Sequence, residues 1–216
     1  MTLEIKICGL SSPETVSVAV NAGADMVGFV FYPRSPRHVT VSAAAELATG
    51  ARGRAGIVAL VVDADDRLLA EIVDGVRPDL LQLHGRETPE RVRAIRARFG
   101  VAVMKALPIA SASDLRPIAD FAACVDRFLF DAKAPPSLAN ALPGGNGVSF
   151  DWRLVAGLDA GRPSMLSGGL DARNVADAIR LTGMRGVDVS SGVERRPGEK
   201  DPEMIKSFIA AARSAL

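Results

Sequence analysis

The chain has 216 residues, 48% apolar and 24% charged, a composition that suits one globular domain and excludes a disordered chain. Lysine and arginine number 26 against 25 aspartates and glutamates, so no net field is available for a nucleic acid or an anionic membrane. Cys8 and Cys124 stand at no spacing that suits a metal site or a disulfide framework, no apolar run nears the roughly 20 residues that span a bilayer, and the first residues lack a secretory pattern. The expectation is a cytoplasmic protein with free thiols, in which local geometry grips any anionic ligand.

In chain order, short β-branched runs alternate with helical segments. Glu4–Cys8 reads as the first strand. Ser12-Pro13-Glu14 opens the helix after it, with serine as N-cap and proline at the first helical position. Met26–Phe31, Gly56–Val62 and Leu80–Leu83 are the next strands. Thr88-Pro89-Glu90 then starts a helix in the same way, with Val92, Ile95 and Phe99 at helical spacing. Strands over Val101–Ala106, Arg127–Asp131, Ser164–Ser167 and Gly186–Val189 follow. The segment after Ser149-Phe150-Asp151-Trp152 has the weakest helical pattern. Asp201-Pro202-Glu203 opens the last helix, whose Ile205, Phe208 and Ile209 share one face. About eight strand–helix units at a spacing of some 20–35 residues predict an α/β fold, a (β/α)8 TIM barrel forming a single domain over residues 1–216. The rival open, doubly wound sheet would want a glycine-rich dinucleotide turn after the first strand, and Cys8-Gly9-Leu10-Ser11-Ser12 is not one.

Two connections exceed what a small barrel needs, Tyr32–Thr40 and Ala132–Val148. Both follow strands, which places them at the C-terminal face, where barrel enzymes hold their active sites. Alternation puts Lys6 and Cys8 inside the barrel and turns Ile5 and Ile7 toward the helices. A barrel filled only for packing would not seat an ammonium there. Asp131 ends the sixth strand, and the Ala-Lys-Ala-Pro-Pro that follows is no helix start, so a capping role suits it poorly. Ser167-Gly168-Gly169-Leu170 follows the seventh strand and Ser190-Ser191-Gly192 the eighth. Main-chain amides after strands 7 and 8 form a recurrent phosphate site of this fold. Gly168, Gly169, Ser190, Ser191 and Gly192 are therefore the phosphate candidates. Cys124, in an alanine-rich run, reads as packing, and Glu194-Arg195-Arg196 as a solvated stretch.

An ordered set of motifs runs from the first strand to the last helix: Lys6-Ile7-Cys8-Gly9-Leu10, Gly28-Phe29-Val30-Phe31 with Ser35-Pro36-Arg37, Gln82-Leu83-His84-Gly85, Asp131-Ala132-Lys133, Gly144-Gly145-Asn146-Gly147 with Phe150-Asp151-Trp152, Ser167-Gly168-Gly169-Leu170 and Asp188-Val189-Ser190-Ser191-Gly192-Val193-Glu194. Together they resemble the phosphoribosylanthranilate isomerase family. The one departure noted is Asn146, where that family more often has threonine.

The resemblance implies an Amadori rearrangement of N-(5-phosphoribosyl)anthranilate, with Cys8 as general base, Asp131 as general acid and Arg37 facing the anthranilate carboxylate. Asp188 and His84 are candidates for orienting groups in the mouth. No redox step occurs, so no cofactor is implied. The partner is a small-molecule substrate, and the chain is expected as a monomer or homodimer. A free thiol is already roughly a tenth ionised near neutrality, whereas a free aspartate is protonated in about one molecule in several thousand. Holding a proton on Asp131 thus demands on the order of 4 kcal/mol, and Asp131 is expected to be the more perturbed of the two. Lys6 is expected to help hold the thiolate. Two other readings stand beside this one. A histidine-pathway aminoaldose with two phosphates would want a second cradle across the barrel, where Asp63, Asp65 and Asp66 are acidic. A non-catalytic phosphometabolite-binding barrel gives no reason for Cys8 and Asp131 to stand at strand ends.

Overall fold

Successive residues of a strand face opposite sides. In the computed structural model, which describes residues 3–135, 137 and 142–215, eight parallel strands turn those two sides into the inside and outside of a closed barrel. The strands are β1 (Glu4–Cys8), β2 (Met26–Phe31), β3 (Gly56–Val61), β4 (Leu80–Leu83), β5 (Ala102–Ile109), β6 (Arg127–Ala132), β7 (Ser164–Leu166) and β8 (Gly186–Val189). The helices are α1 (Pro13–Ala22), α2 (Val41–Thr49), α3 (Asp66–Val76), α4 (Pro89–Phe99), α5 (Ile118–Phe121), α6 (Val175–Thr182) and α7 (Pro202–Arg213). An antiparallel hairpin, β9 (Glu194–Arg196) and β10 (Glu199–Lys200), lies between β8 and α7. Strands β1 and β8 close the ring, with Ile5 opposite Val187 and Lys6 opposite Asp188.

The three helix starts are capped as the sequence predicts. Ser12 Oγ accepts from the Thr15 amide at 3.3 Å, Thr88 Oγ1 from Arg91 at 3.3 Å, and Asp201 Oδ1 from Glu203 at 2.7 Å. Ile5 and Ile7 are fully buried in the layer between barrel and helices, together with Phe29, Leu81, Phe128 and Phe208. Met26, Val58, Leu80, Met104, Leu129 and Met165 fill the lower interior of the barrel. That apolar plug makes the floor on which the site stands.

Beyond one-residue shifts at strand ends and the unforeseen β9–β10 hairpin, the structure departs from the expected elements at β5 and between β6 and β7. Strand β5 continues to Ile109, beyond the expected end at Ala106, and includes Pro108. Proline reads as a breaker, but β4 ends opposite Lys105, so the strand has a neighbour on one side only from there on. Between β6 and β7 the helical structure among the described residues is a 3-10 turn, Trp152–Val155. Of the Ala132–Val148 connection, residues 136 and 138–141 lie outside the described residues.

Candidate active site

Lys6 and Asp188 are direct neighbours across β1 and β8, and both point inward. Their ion pair, Nζ to Oδ1 at 2.9 Å, follows from that register. Lys6 is fully buried, and Ser167 Oγ donates to Asp188 Oδ2 at 3.2 Å. Burial works against the Lys6 charge, but Asp188 and Cys8 outweigh it and raise the ammonium above the ordinary lysine range. For Cys8 the balance is reversed. Burial pushes the thiol up, the Lys6 ammonium pulls it back only in part, and Asp188 adds to the rise. Lys6 does favour the thiolate, as the sequence predicts, but does not win against desolvation. Opposite Cys8 stands Gly28, where a Cβ would lie 3.0 Å from the Cys8 sulfur and 3.2 Å from the Lys6 nitrogen. The glycine makes room for both.

Asp131, at the end of β6, has His84 beside it, with Nε2 3.3 Å from Oδ2, and its Oδ1 accepts from the Ala132 amide at 2.9 Å. On the other side of the His84 ring, Nδ1 lies 3.0 Å from Gln82 Nε2. Gln82 on β4 and His84 just beyond its end stand two residues apart, so a chain of polar groups leads from the barrel interior to the Asp131 carboxyl. The turn after His84 is fixed from below. Lys105 Nζ donates to the carbonyls of Leu83 and Gly85 at 3.3 and 2.8 Å and to Glu87 at 2.9 Å, while Glu87 accepts from the amides of Gly85 and Asp63. A Cβ at Gly144 would lie 2.7 Å from both Asp131 Oδ2 and the His84 ring, so the loop backbone comes down directly over this pair.

Arg37 is buried, and its fork is already occupied. Nε and Nη2 meet Glu194 at 2.7 and 2.8 Å, and Nη2 also donates to the Gly145 carbonyl at 3.1 Å. Among the described residues no acceptor meets Nη1, which is the part of the guanidinium left for a ligand. The expectation of a solvated Glu194-Arg195-Arg196 stretch is corrected for its first member. The Glu194 side chain is 3% exposed, while Arg195 and Arg196 are exposed as expected. Lys200 joins it at 2.6 Å. Despite burial, Arg37 and Lys200 hold the Glu194 carboxyl below its ordinary range. Lys200 carried no signal in the sequence, because it lies on a hairpin outside the barrel repeat. Gln82 and Ser167 appeared there only as members of motifs. Cys124 is buried and donates to the Phe121 carbonyl, a packing residue as predicted.

The glycine turns after β7 and β8 do more than leave space for an anion. At Gly168, with φ +87°, a Cβ would lie 2.6 Å from the Ala132 amide, and at Gly169 2.8 Å from Ser149. At Gly192 it would lie 1.9 Å from the Leu170 carbonyl oxygen. These glycines bring the rims of β6, β7 and β8 into mutual contact. Gly192→Ala is expected to force the two turns apart and destabilise the fold by about 1–3 kcal/mol, read as a lower urea midpoint. Cys8, Arg37, His84, Asp131, Asp188 and the turns over Ser167–Leu170 and Val189–Ser191 all line one hollow. No cluster with metal-ligand composition occurs among the described residues.

A closed (β/α)8 barrel in which a buried thiol and a carboxyl face one hollow, rimmed by glycine turns after β7 and β8, has the architecture of a barrel enzyme with its site at the C-terminal face. The sequence pattern of the family described as N-(5'phosphoribosyl)anthranilate (PRA) isomerase matches residues 5–211. The N-(5'-phosphoribosyl)anthranilate isomerase of Rhodopseudomonas palustris (strain BisA53) is 59% identical over 214 residues, covering 99% of this chain and 97% of that protein. The crystal structure of phosphoribosyl anthranilate isomerase from Thermotoga maritima superposes with a TM-score of 0.88 at 34% identity, over 99% of this chain and 100% of that one. A phosphoribosyl anthranilate isomerase in complex with reduced 1-(o-carboxyphenylamino)-1-deoxyribulose 5-phosphate superposes with a TM-score of 0.85 at 32% identity, over 99% and 100% of the two chains. The chain belongs to the N-(5'-phosphoribosyl)anthranilate isomerase family.

Proposed function

We propose that the chain converts N-(5-phosphoribosyl)anthranilate into 1-(2-carboxyphenylamino)-1-deoxyribulose 5-phosphate in tryptophan biosynthesis, with Cys8 and Asp131 as its catalytic residues. The observation that carries this reading is that both groups, from opposite parts of the chain, line one hollow with the two glycine turns on its rim. Asp131 gives a proton to the furanose ring oxygen as the bond from that oxygen to C1 breaks, leaving an iminium between C1 and the anilino nitrogen. The Cys8 thiolate then takes the proton from C2. The released electron pair forms a C1–C2 double bond and neutralises the nitrogen, and the resulting enolamine becomes the ketone. Over the full cycle two protons leave the substrate, from C2 and its hydroxyl, and two are added, to the ring oxygen and C1, so substrate and product are isomers and both catalytic groups recover their starting states. Main-chain amides around Gly168, Gly169, Ser190, Ser191 and Gly192 hold the phosphate, and Arg37 meets the anthranilate carboxylate through Nη1.

The raised Cys8 thiol fits this sequence of steps. Its thiolate is favoured when the iminium charge develops beside it, and the iminium forms only after ring opening. His84 and Asp188 orient the acid and the lysine beside the base. The acidic run on the far rim has other work: Asp65 caps α3, Asp63 accepts from the Arg86 amide and Asp66 pairs with Arg91, and its carboxylates would repel a second phosphate. The partner is a small-molecule substrate, and the assembly proposed is a monomer or homodimer. No helix among the described residues is long and apolar enough to cross a membrane, and we place the protein in the cytoplasm.

The test follows anthranilate fluorescence as the purified protein meets freshly made phosphoribosylanthranilate. Wild type is expected to turn over, and Cys8→Ser to lose at least about 10²-fold in kcat. Tight phosphate binding without turnover in wild type would favour the non-catalytic barrel.

A further inference from the structure

We propose that Glu194 and Lys200 are positioning residues that lock Arg37 and the Ser190 turn into one frame, fixing the span at which the site accepts a ligand with a carboxylate at one end and a phosphate at the other. This rests on the reading of Arg37 and the Ser190 turn as the two anion subsites.

Arg37 stands on the loop after β2 and Ser190 on the loop after β8, with β1 between them in the barrel. The β9–β10 hairpin bridges that gap. Lys200 Nζ donates to the Ser190 carbonyl at 2.9 Å, to Ser190 Oγ at 3.1 Å and to Glu194 Oε1 at 2.6 Å. An ammonium has three hydrogens, and all three are used. Lys200 therefore has nothing left for a substrate and acts through Ser190 and Glu194. Glu194 in turn takes both Nε and Nη2 of Arg37, which fixes the plane of the guanidinium. The backbone makes the same connection. Gly198, at the hairpin tip with φ +87°, is so close to the Arg37 loop that a Cβ would lie 2.5 Å from the Pro36 carbonyl oxygen. At the foot, the Asp201 amide donates to the Val193 carbonyl at 2.9 Å. Gly9 supports the arginine from below, since a Cβ there would lie 2.7 Å from Arg37 Cδ.

A buried trio of charges is not needed for stability, because apolar replacements of similar volume are often as stable. Its position between two anion subsites supplies the reason for it. Burial also lowers Lys200 to about 8, against the pull of Glu194, with Arg37 adding to the fall and Cys8 opposing it. Its charge is complete below that pH and is lost above it, so the hold on the Ser190 turn weakens as pH rises through about 8.

The test measures competitive inhibition by anthranilate and by sulfate, which stays doubly charged across the pH range, together with kcat and KM. Glu194→Gln is expected to raise KM and the anthranilate inhibition constant about tenfold while kcat changes far less. Lys200→Met is expected to weaken both probes. Lys200→Arg, whose charge persists, is expected to restore sulfate binding and abolish its decline above pH 8. Thermal melting of each variant separates these effects from unfolding. Unchanged KM and anthranilate inhibition in Glu194→Gln, with both lost in Arg37→Met, would overturn the proposal while leaving the carboxylate subsite intact. Unchanged anthranilate inhibition in Arg37→Met would overturn the subsite reading and the proposal with it. Sulfate binding that declines identically with pH in wild type and Lys200→Arg would remove the role of Lys200.

Discussion

In Asp131→Asn, kcat is expected to fall toward the upper end of the 10²–10⁴-fold range typical of acid–base groups, with KM little changed. The amide keeps the shape of the carboxyl and one acceptor for the Ala132 amide, so the fold and the contact with His84 have no strong reason to fail. It cannot deliver a proton to the ring oxygen. The loss should exceed that of Cys8→Ser, because an aspartate starts much further from the protonation state its task requires than a cysteine does. The measurement is single-turnover fluorescence decay at substrate concentrations above KM. Turnover surviving intact would reject Asp131 as the acid. A direct titration of the carboxyl with product bound checks the same point, since the mechanism needs that group to carry a proton near neutrality.

The second large effect is on stability. In Lys6→Met the Asp188 carboxyl, 6% exposed, loses its cation and keeps only Ser167 among the side chains that contact it in the described residues. Breaking one side of such a buried pair costs about 3–5 kcal/mol, read from urea unfolding. The double variant Lys6→Met with Asp188→Leu should recover much of the loss, because it removes both charges. The sign with pH follows from the raised Lys6. Its contribution is complete below the unfolded value of about 10.5 and is lost only as pH rises through the still higher folded one, so the gap to wild type should stay flat from pH 6 to 9. A gap that shrank across that interval would show that the pair is not what Lys6 contributes. The same substitution removes the ammonium that partly offsets burial at Cys8, so the Cys8 thiol itself should titrate still higher in the variant, read by its thiolate absorbance.

The barrel was legible in the chain because its signals are local. Period-2 alternation placed Lys6 and Cys8 inside and Ile5 and Ile7 outside, and proline after Ser12, Thr88 and Asp201 marked three capped helix starts. The short 3-10 turn at Trp152 was already the weakest helical pattern. The end of β5 was not legible, since a residue pattern cannot show that the neighbouring strand has already ended.

Strand ends were enough to nominate Cys8, Asp131 and the glycine turns, because in a parallel barrel every strand delivers its last inward residue to the same mouth. What those residues touch was decided only by closure of the ring. Lys6 meets Asp188 across 182 residues of chain, and Arg37 meets Glu194 across 157. Such pairs leave no trace in spacing, since they depend on register and on which loops lie side by side. Desolvation is equally a property of the assembled barrel, and it sets the balance at Cys8 and Lys200. The amino-acid sequence by itself determined the fold, the family and which side chains face the mouth. The tertiary structure alone decided which charges are buried together, and therefore which protons and anions they can hold.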